Sequence, residues 1–357
     1  MTATHITATH MTSAHTTTNV RVVFGGRSSH IGLALCALVT AVLASAPLWA
    51  GRDDLQLLSE IFAYVALASL WNLLAGYAGL VSVGQQAFVG LGAYLLFAFV
   101  ILGGFSPLWA IPLSGIIAGI VAVPVAGLVF RLRGHYFAIG TWIVAEVFRL
   151  TASQVSVLGG GSGTSLPAAT VIAIASTRQW RDITEYWIAL ALVVAILLAI
   201  VILLRSRYGL ALKAIRDSEI AARCSGVDAT RTKLLVYIVT ACGTAMVGAL
   251  IFLQRLRISP DAAFSVNDWT AFVIFITVIG GIGRIEGPIV GTIVFFLLRQ
   301  TLADLGTIYL MMLGLVAIVI MLAAPKGIWG LIATHSGFSV FPLERKVVFE
   351  EPKASRQ

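Results

Sequence analysis

Ten stretches of mostly apolar residues recur along the chain, at 31–50, 55–74, 80–102, 108–130, 136–151, 184–204, 234–253, 269–283, 289–303 and 309–325. A helix that crosses the hydrocarbon of a bilayer needs about 20 such residues. Inside lipid each backbone polar group must be satisfied within the segment itself, which leaves helices or a closed barrel as the only spanning structures. Runs of this length predict helices. The predicted class is therefore an all-α, polytopic membrane protein with about ten transmembrane segments. The runs at 136–151, 269–283 and 289–303 are short, and are expected to be tilted, broken or incomplete. Charged residues make up 11% of the chain, against about 25% in a soluble domain.

The formal net charge is +8, yet its distribution argues against nucleic acid. The basic residues sit in short loops between apolar runs. Ten spans put both termini on one side, and Lys and Arg decide which. With the termini inside, the inner segments hold 17 of the 24 basic residues, and reversing the topology reverses that ratio. An N-in, C-in arrangement follows. Residues 1–30 are expected to be a polar, disordered cytoplasmic tail with no cleavable signal, 31–325 the membrane domain, and 326–357 a cytoplasmic C-terminal tail. His5, His10 and His15 recur every five residues, which spreads them around a helix instead of stacking them on one face, so a metal site is not expected there. Cys36, Cys224 and Cys242 show no metal-ligand spacing and read as free thiols.

The third span carries the most chemistry. Ser69–Ala93 contains Asn72, Ser82, Gln85, Gln86 and glycines at 76, 79, 84, 90 and 92. A helix that only anchors in lipid has no use for adjacent glutamines. Irregular backbone and polar side chains are tolerated at membrane depth where protein buries them or water reaches them. This span is therefore expected to be broken or glycine-rich, with Asn72, Ser82, Gln85 and Gln86 as substrate-route candidates. On an ideal helix Gln85 and Gln86 point about 100° apart. One is expected to face a passage and the other to satisfy freed backbone or a neighbouring helix. Glu60 and Glu146 are read as the acidic residues clearly within spans, and both are further route candidates. Arg149, three residues after Glu146, is placed for a helix-surface pair.

Three connections stand out. Arg205–Lys233 is basic and amphipathic, with Leu210, Leu212, Ala214, Ile215, Ile220 and Ala221 as its expected apolar face. The 152–183 outer loop carries Gly159, Gly160, Gly161 and Gly163, and reads equally as a docking element or flap and as a flexible connector. Gly280–Thr292 holds Gly283, Gly287, Pro288 and Gly291, and is read as a tight inner turn, with a hinge or partner contact as the other reading. No stretch matches the G-x-x-x-x-G-K-[ST] phosphate loop. No nucleophile set or HExxH motif supports an enzyme, and no metal or cofactor is expected.

The segment NLLAGYAGLVSVGQQAFVGLGAY resembles the signature near the start of branched-chain amino acid permeases of ABC importers. LRLRGHYFAIGTWIVAEVFRL at 130–150 resembles the block before span five of the LivM-type subunit. Gly280–Thr292 resembles the family's late GG-x-G-x-x-x-GP-x-x-G block. Glu219, Ala221, Ala222 and Gly226 resemble the EAA-type loop by which such permeases dock their ATPases, with Ile220 inserted after the glutamate. The resemblance makes Arg216, Asp217, Glu219, Ala221, Ala222 and Gly226 coupling candidates. It implies a multi-pass protein of the cell inner membrane, paired with a second permease of LivH type, two cytoplasmic ATPase subunits that bind the ATP, and an extracytoplasmic binding protein. The implied cargo is leucine, isoleucine, valine or a related amino acid. Urea and short-chain amide systems use similar permeases. An ion-coupled secondary transporter and a scaffolding protein are the rival classes.

Overall fold

The computed structural model describes residues 19–24, 27–174, 177–302, 308–324, 327–336 and 345–350. The His5, His10 and His15 tail lies outside the described residues. Each of the ten apolar runs contains a helix: α1 (Arg27–Ala44), α2 (Arg52–Asn72), α3 (Gln85–Ile101), α4 (Pro107–Val129), α5 (His135–Ser153), α7 (Arg178–Arg205), α10 (Ala229–Arg255), α12 (Phe272–Gly280), α13 (Glu286–Leu302) and α14 (Ile308–Ala323). Shorter helices lie between or after them: α6 (Ala168–Ile174), α8 (Arg207–Asp217), α9 (Glu219–Cys224), α11 (Pro260–Ala263) and α15 (Gly327–Ser336). Among the described residues, six helical stretches are long and apolar enough to cross a bilayer by length and composition. The protein is an all-α polytopic membrane protein. The end of the bundle that carries α8 and α9 is termed inner, and the opposite end outer.

Helix boundaries depart from the sequence expectation where local polar chemistry sets them. α7 starts at Arg178, six residues before the apolar run, because the Thr177 hydroxyl caps it by accepting from the Trp180 amide. Asp53 and Asp54 in the first turn of α2 favour its N-terminal dipole, and Asp54 also accepts from the Gly51 amide at 3.1 Å. The 152–183 connection is not bare coil. It forms two short 3-10 turns, α6, and a strand β2 (Thr164–Ser165) that pairs antiparallel with β3 (Arg257–Ile258) after α10. Asn19–Phe24 (β1) pairs antiparallel with Arg345–Glu350 (β4).

The core is assembled around α10, which packs most extensively on α3 and α4, while α2 packs on α7 and α12 on α13. Small residues make these approaches possible, because association within lipid depends on close van der Waals packing. In α4, Ala110, Ser114, Ala118, Ala122 and Ala126 recur every four residues and are fully buried. In α3 and α10, a Cβ at Gly92 would lie 2.0 Å from the Ala245 carbonyl oxygen, and one at Gly248 would lie 2.2 Å from that of Val89. Aromatic side chains fill the remaining space: Trp71, Trp269, Tyr186, Phe97, Phe252 and Phe295 are among the largest fully buried side chains.

Candidate functional site

The third span is not broken within its helix: α3 is continuous, and the irregular backbone lies ahead of it, in the connection from α2. α2 continues through a π-helical turn, Leu73–Tyr77, and the chain then runs without helix from Gly79 to Gly84 before α3 begins at Gln85. This non-helical stretch is held by specific donors. The Trp71 indole donates to the Ser82 carbonyl at 2.8 Å, the Ser82 hydroxyl accepts from the Gly84 amide at 3.1 Å, and Thr141 Oγ1 on α5 accepts from the Val83 amide at 3.1 Å. Irregular backbone at membrane depth is thus satisfied by protein on both sides.

The two glutamines diverge, as their spacing requires. Gln85 Nε2 donates to the Leu67 carbonyl of α2 at 3.0 Å and also reaches Thr244 Oγ1 on α10. Gln86 turns to the π-helical turn Asn267–Ala271 before α12: Thr270 Oγ1 accepts from its amide and donates to its Oε1. Both side chains are buried. Gln85 thus supports the backbone of α2, and Gln86 holds the turn before α12. Gln85 also borders a cavity of only 10 Å³ with Ser82, Thr240 and Thr244. That volume is about the space of one water.

Asn72 has a third task. Its Nδ2 donates to the Arg284 carbonyl and its Oδ1 accepts from the Gly283 amide, each at 2.7 Å. One side chain therefore satisfies two backbone groups of the turn between α12 and α13, and clamps that turn to the inner end of α2. Gly76, one helical turn on, allows the approach: a Cβ there would meet Asn72 Oδ1 at 2.5 Å and the Gly283 amide at 2.6 Å. The other glycines of the turn pack backbone on backbone. A Cβ at Gly291 would lie 1.9 Å from the Ile276 carbonyl oxygen, and one at Gly287 2.2 Å from that of Gly281. Pro288 is buried in the first turn of α13.

The 205–233 connection folds as two helices, and a capping side chain opens each of them and the span that comes next: Ser206 accepts from the Tyr208 amide for α8, Ser218 from the Ala221 amide for α9, and Asp228 from the Arg231 amide for α10. The Ser218 cap resets the helical phase, so the expected single apolar face is wrong. α8 buries Gly209, Leu212 and Ile215, and α9 buries Ala222, while Leu210 is 47% and Ile220 79% exposed. Glu219 bridges Arg223 and Lys233, each at 2.7 Å. The Lys233 hydrogen bond, with help from Arg223, holds its carboxyl below the usual carboxylate range. Gly226 ends α9 at φ +81°, a conformation that favours glycine. Asp217 is exposed beside Arg216 at 3.9 Å. Arg216 Nη1 donates to the Gly76 carbonyl at 3.4 Å. The inner loop, the end of α2 and the α12–α13 turn are therefore in direct contact.

At the outer end, the two expected carboxylates separate. Glu60 pairs with Arg299 of α13 at 2.7 Å and lines a 430 Å³ cavity between α2, α7 and α10. Glu146 pairs with Arg149 at 2.5 Å, and Arg149 also binds Asp261 of α11 at 2.8 Å, away from that cavity. Glu60 and Glu146 lie within α2 and α5 as expected, but they are not alone, since α7 holds Asp182 and Glu185. Glu60 and Glu146 are part-exposed, whereas Asp182, Glu185 and Glu286 are less than one-tenth exposed. Asp182 and Glu185 precede or open an apolar run, so hydropathy places them at its edge, and only the fold over them shows their burial. Arg52 binds Asp182 at 2.5 Å.

An irregular connection bordered by buried amides, a clamped inner turn, and a charged cavity at the opposite end define a polytopic helical membrane protein with its polar groups gathered along the bundle interior. The chain belongs to the branched-chain amino acid transport system permease component family, which matches residues 55–325. It is 29% identical over 321 residues, 83% of this chain and 74% of the relative, to the high-affinity branched-chain amino acid transport system permease protein LivM of Salmonella typhimurium, and equally to that of Escherichia coli. A ribose import permease protein, RbsC of Bacillus subtilis, is 30% identical over 38% of this chain and 43% of its own length. No solved structure gives a significant match.

Proposed function

We propose that the chain is the membrane-spanning permease subunit of an ATP-driven importer for branched-chain or related amino acids. It lies in the cell inner membrane with both termini in the cytoplasm. It works with a second permease of LivH type, two cytoplasmic ATPase subunits that bind the ATP, and an extracytoplasmic binding protein. The family and the names of its relatives support the cargo class, and the excess of basic residues in the inner segments supports the orientation.

The observation that carries the coupling is the contact of Arg216 with Gly76. α8 and α9 present Ile220, 79% exposed, and the charged pair Glu219 and Arg223. A partner that closes on this surface pushes on α8, and α8 bears through Arg216 on the inner end of α2, which Asn72 clamps to the α12–α13 turn. Displacement there shifts the inner end of α2 against α12 and α13, beside the irregular connection to α3. Alternating access follows if this inner joint and the outer cavity open in turn.

Co-purification of the ATPase chain with the full-length protein tests this reading. Gly226→Leu requires a bulky residue at φ +81° with open space around it, which redirects the exit of α9 without a clash in the bundle. It is expected to abolish co-purification of the ATPase and leave the yield of folded permease unchanged. Full ATPase recovery with Gly226→Leu and with Glu219→Lys would remove the 205–233 segment from the docking surface.

A further inference from the structure

The outer cavity sets each of its carboxylates beside an arginine, Glu185 least closely, and leaves the cations Arg178 and Arg255 over. Asp182 is taken by Arg52 and Glu60 by Arg299. Glu185, 6% exposed, is different: its Oε1 accepts no hydrogen bond, and Arg181 Nε stands 3.6 Å from it. A buried carboxylate oxygen without a donor is costly, so its retention calls for a ligand that supplies one. On the cation side, Arg178 and Arg255 line the same cavity and pair with no carboxylate among the described residues. Arg255 is the one held in place, with its guanidinium carbon 5.0 Å from the Trp269 ring centre and 5.5 Å from that of Phe252. Such stacking fixes the plane of the group while leaving its N–H donors free. Leu55, Ala63, Ile251 and Trp269 give the lining an apolar part, alongside the polar Gln56, Ser59, Tyr64 and Gln254. The volume of 430 Å³ falls within the range of about 300–1,000 Å³ for small-molecule sites.

We propose that this cavity is a transit site for a zwitterionic apolar amino acid, with Glu185 receiving the ammonium group, Arg255 the carboxylate, and the apolar wall the side chain. The proposal rests on the reading of the chain as an amino-acid importer subunit and adds to it a specific site within this one subunit. A neutral amide or urea can hydrogen-bond to both groups but neutralises neither charge, so the site favours a zwitterion over that cargo class.

The test uses the full chain assembled with its second permease and ATPases in nanodiscs, without the binding protein. A thiol is introduced by Gln56→Cys, on the cavity lining, in a background lacking Cys36, Cys224 and Cys242. Its alkylation rate is read against added L-leucine, 4-methylpentanoate, which lacks the ammonium group, and 3-methylbutylamine, which lacks the carboxylate. L-leucine is expected to slow alkylation, with both single-charge analogues much weaker. Glu185→Gln and Arg255→Gln are each expected to raise the half-effect concentration of L-leucine by about tenfold or more, the loss typical of one charge-assisted contact. Arg255 is solvent-exposed, so its variant reports even where Glu185→Gln lowers folded yield. If the same complex, given its binding protein, imports leucine while leucine leaves alkylation untouched, the site is overturned and the importer reading stands. Equal protection by acetamide overturns the site as well. Absence of both protection and leucine uptake overturns both.

Discussion

Replacing Gly92 with valine is expected to abolish the folded protein. The added Cβ lies 2.0 Å from the Ala245 carbonyl oxygen, a backbone atom of α10 that no rotamer change can move. Overpacking a core with extra methylenes costs about 1–3 kcal/mol even where side chains can yield. Here α3 must separate from α10 as a body. Gly248 against Val89 belongs to the same crossing, at 2.2 Å, so the two helices lose their closest approach together. The separation also pulls Gln85 from Thr244 and from Leu67, which undoes the satisfaction of the third span. Detergent-solubilised Gly92→Val is expected to elute as aggregate in size-exclusion chromatography with little monodisperse material, since parting two helix backbones removes stability on the scale of the whole fold's margin of about 5–15 kcal/mol. Gly127→Val is the control. Nothing lies within 4 Å of its Cβ, and its yield should match wild type.

Asn72→Leu is expected to separate folding from transport. Leucine keeps the volume of the side chain but loses the donor to Arg284 and the acceptor from Gly283. Each lost bond leaves a backbone group without its partner, at a cost of about 1–3 kcal/mol for a buried group. The cost is local, because the turn can still take water at the inner end. The expected result is a moderate drop in thermal stability, a folded yield within about threefold of wild type, and transport reduced by about tenfold or more. Asn72→Asp retains the acceptor and loses the donor, and should fall between wild type and Asn72→Leu. Wild-type uptake by Asn72→Leu, measured in proteoliposomes, would mean that the clamp does not carry motion from the inner loop.

The periodic part of the fold is legible because hydropathy is a local property. All ten runs hold a helix, since a long apolar segment has no other way to satisfy its backbone in lipid. Asn72, Gln85 and Gln86 stand out for the same local reason, as amides in an apolar stretch. Their partners do not. Leu67 lies 18 residues from Gln85, Thr270 184 from Gln86, and Arg284 212 from Asn72. No spacing rule reaches that far. Glu185 escapes a hydropathy reading because an acidic residue at the start of an apolar run looks like a solvated flank, and only the cover supplied by α2 and α10 buries it. The two-helix form of the inner loop is present in the sequence as Ser206, Ser218 and Asp228, three capping residues each preceding a helix. A single amphipathic pattern drawn through Ser218 hides the change of phase there. The α4 stripe of small residues at every fourth position is equally available, as a packing face requires.

In the proposed function, ATPase subunits drive transport by this chain through the 205–233 loop. The most direct measurement is leucine uptake into proteoliposomes that contain the chain, its second permease, the ATPases and the binding protein. Uptake by the wild-type complex should require ATP inside or outside according to orientation, persist when ion gradients are collapsed, and vanish in Gly226→Leu with the permease still folded. Uptake that continues without ATP and follows an imposed proton or sodium gradient would contradict the account.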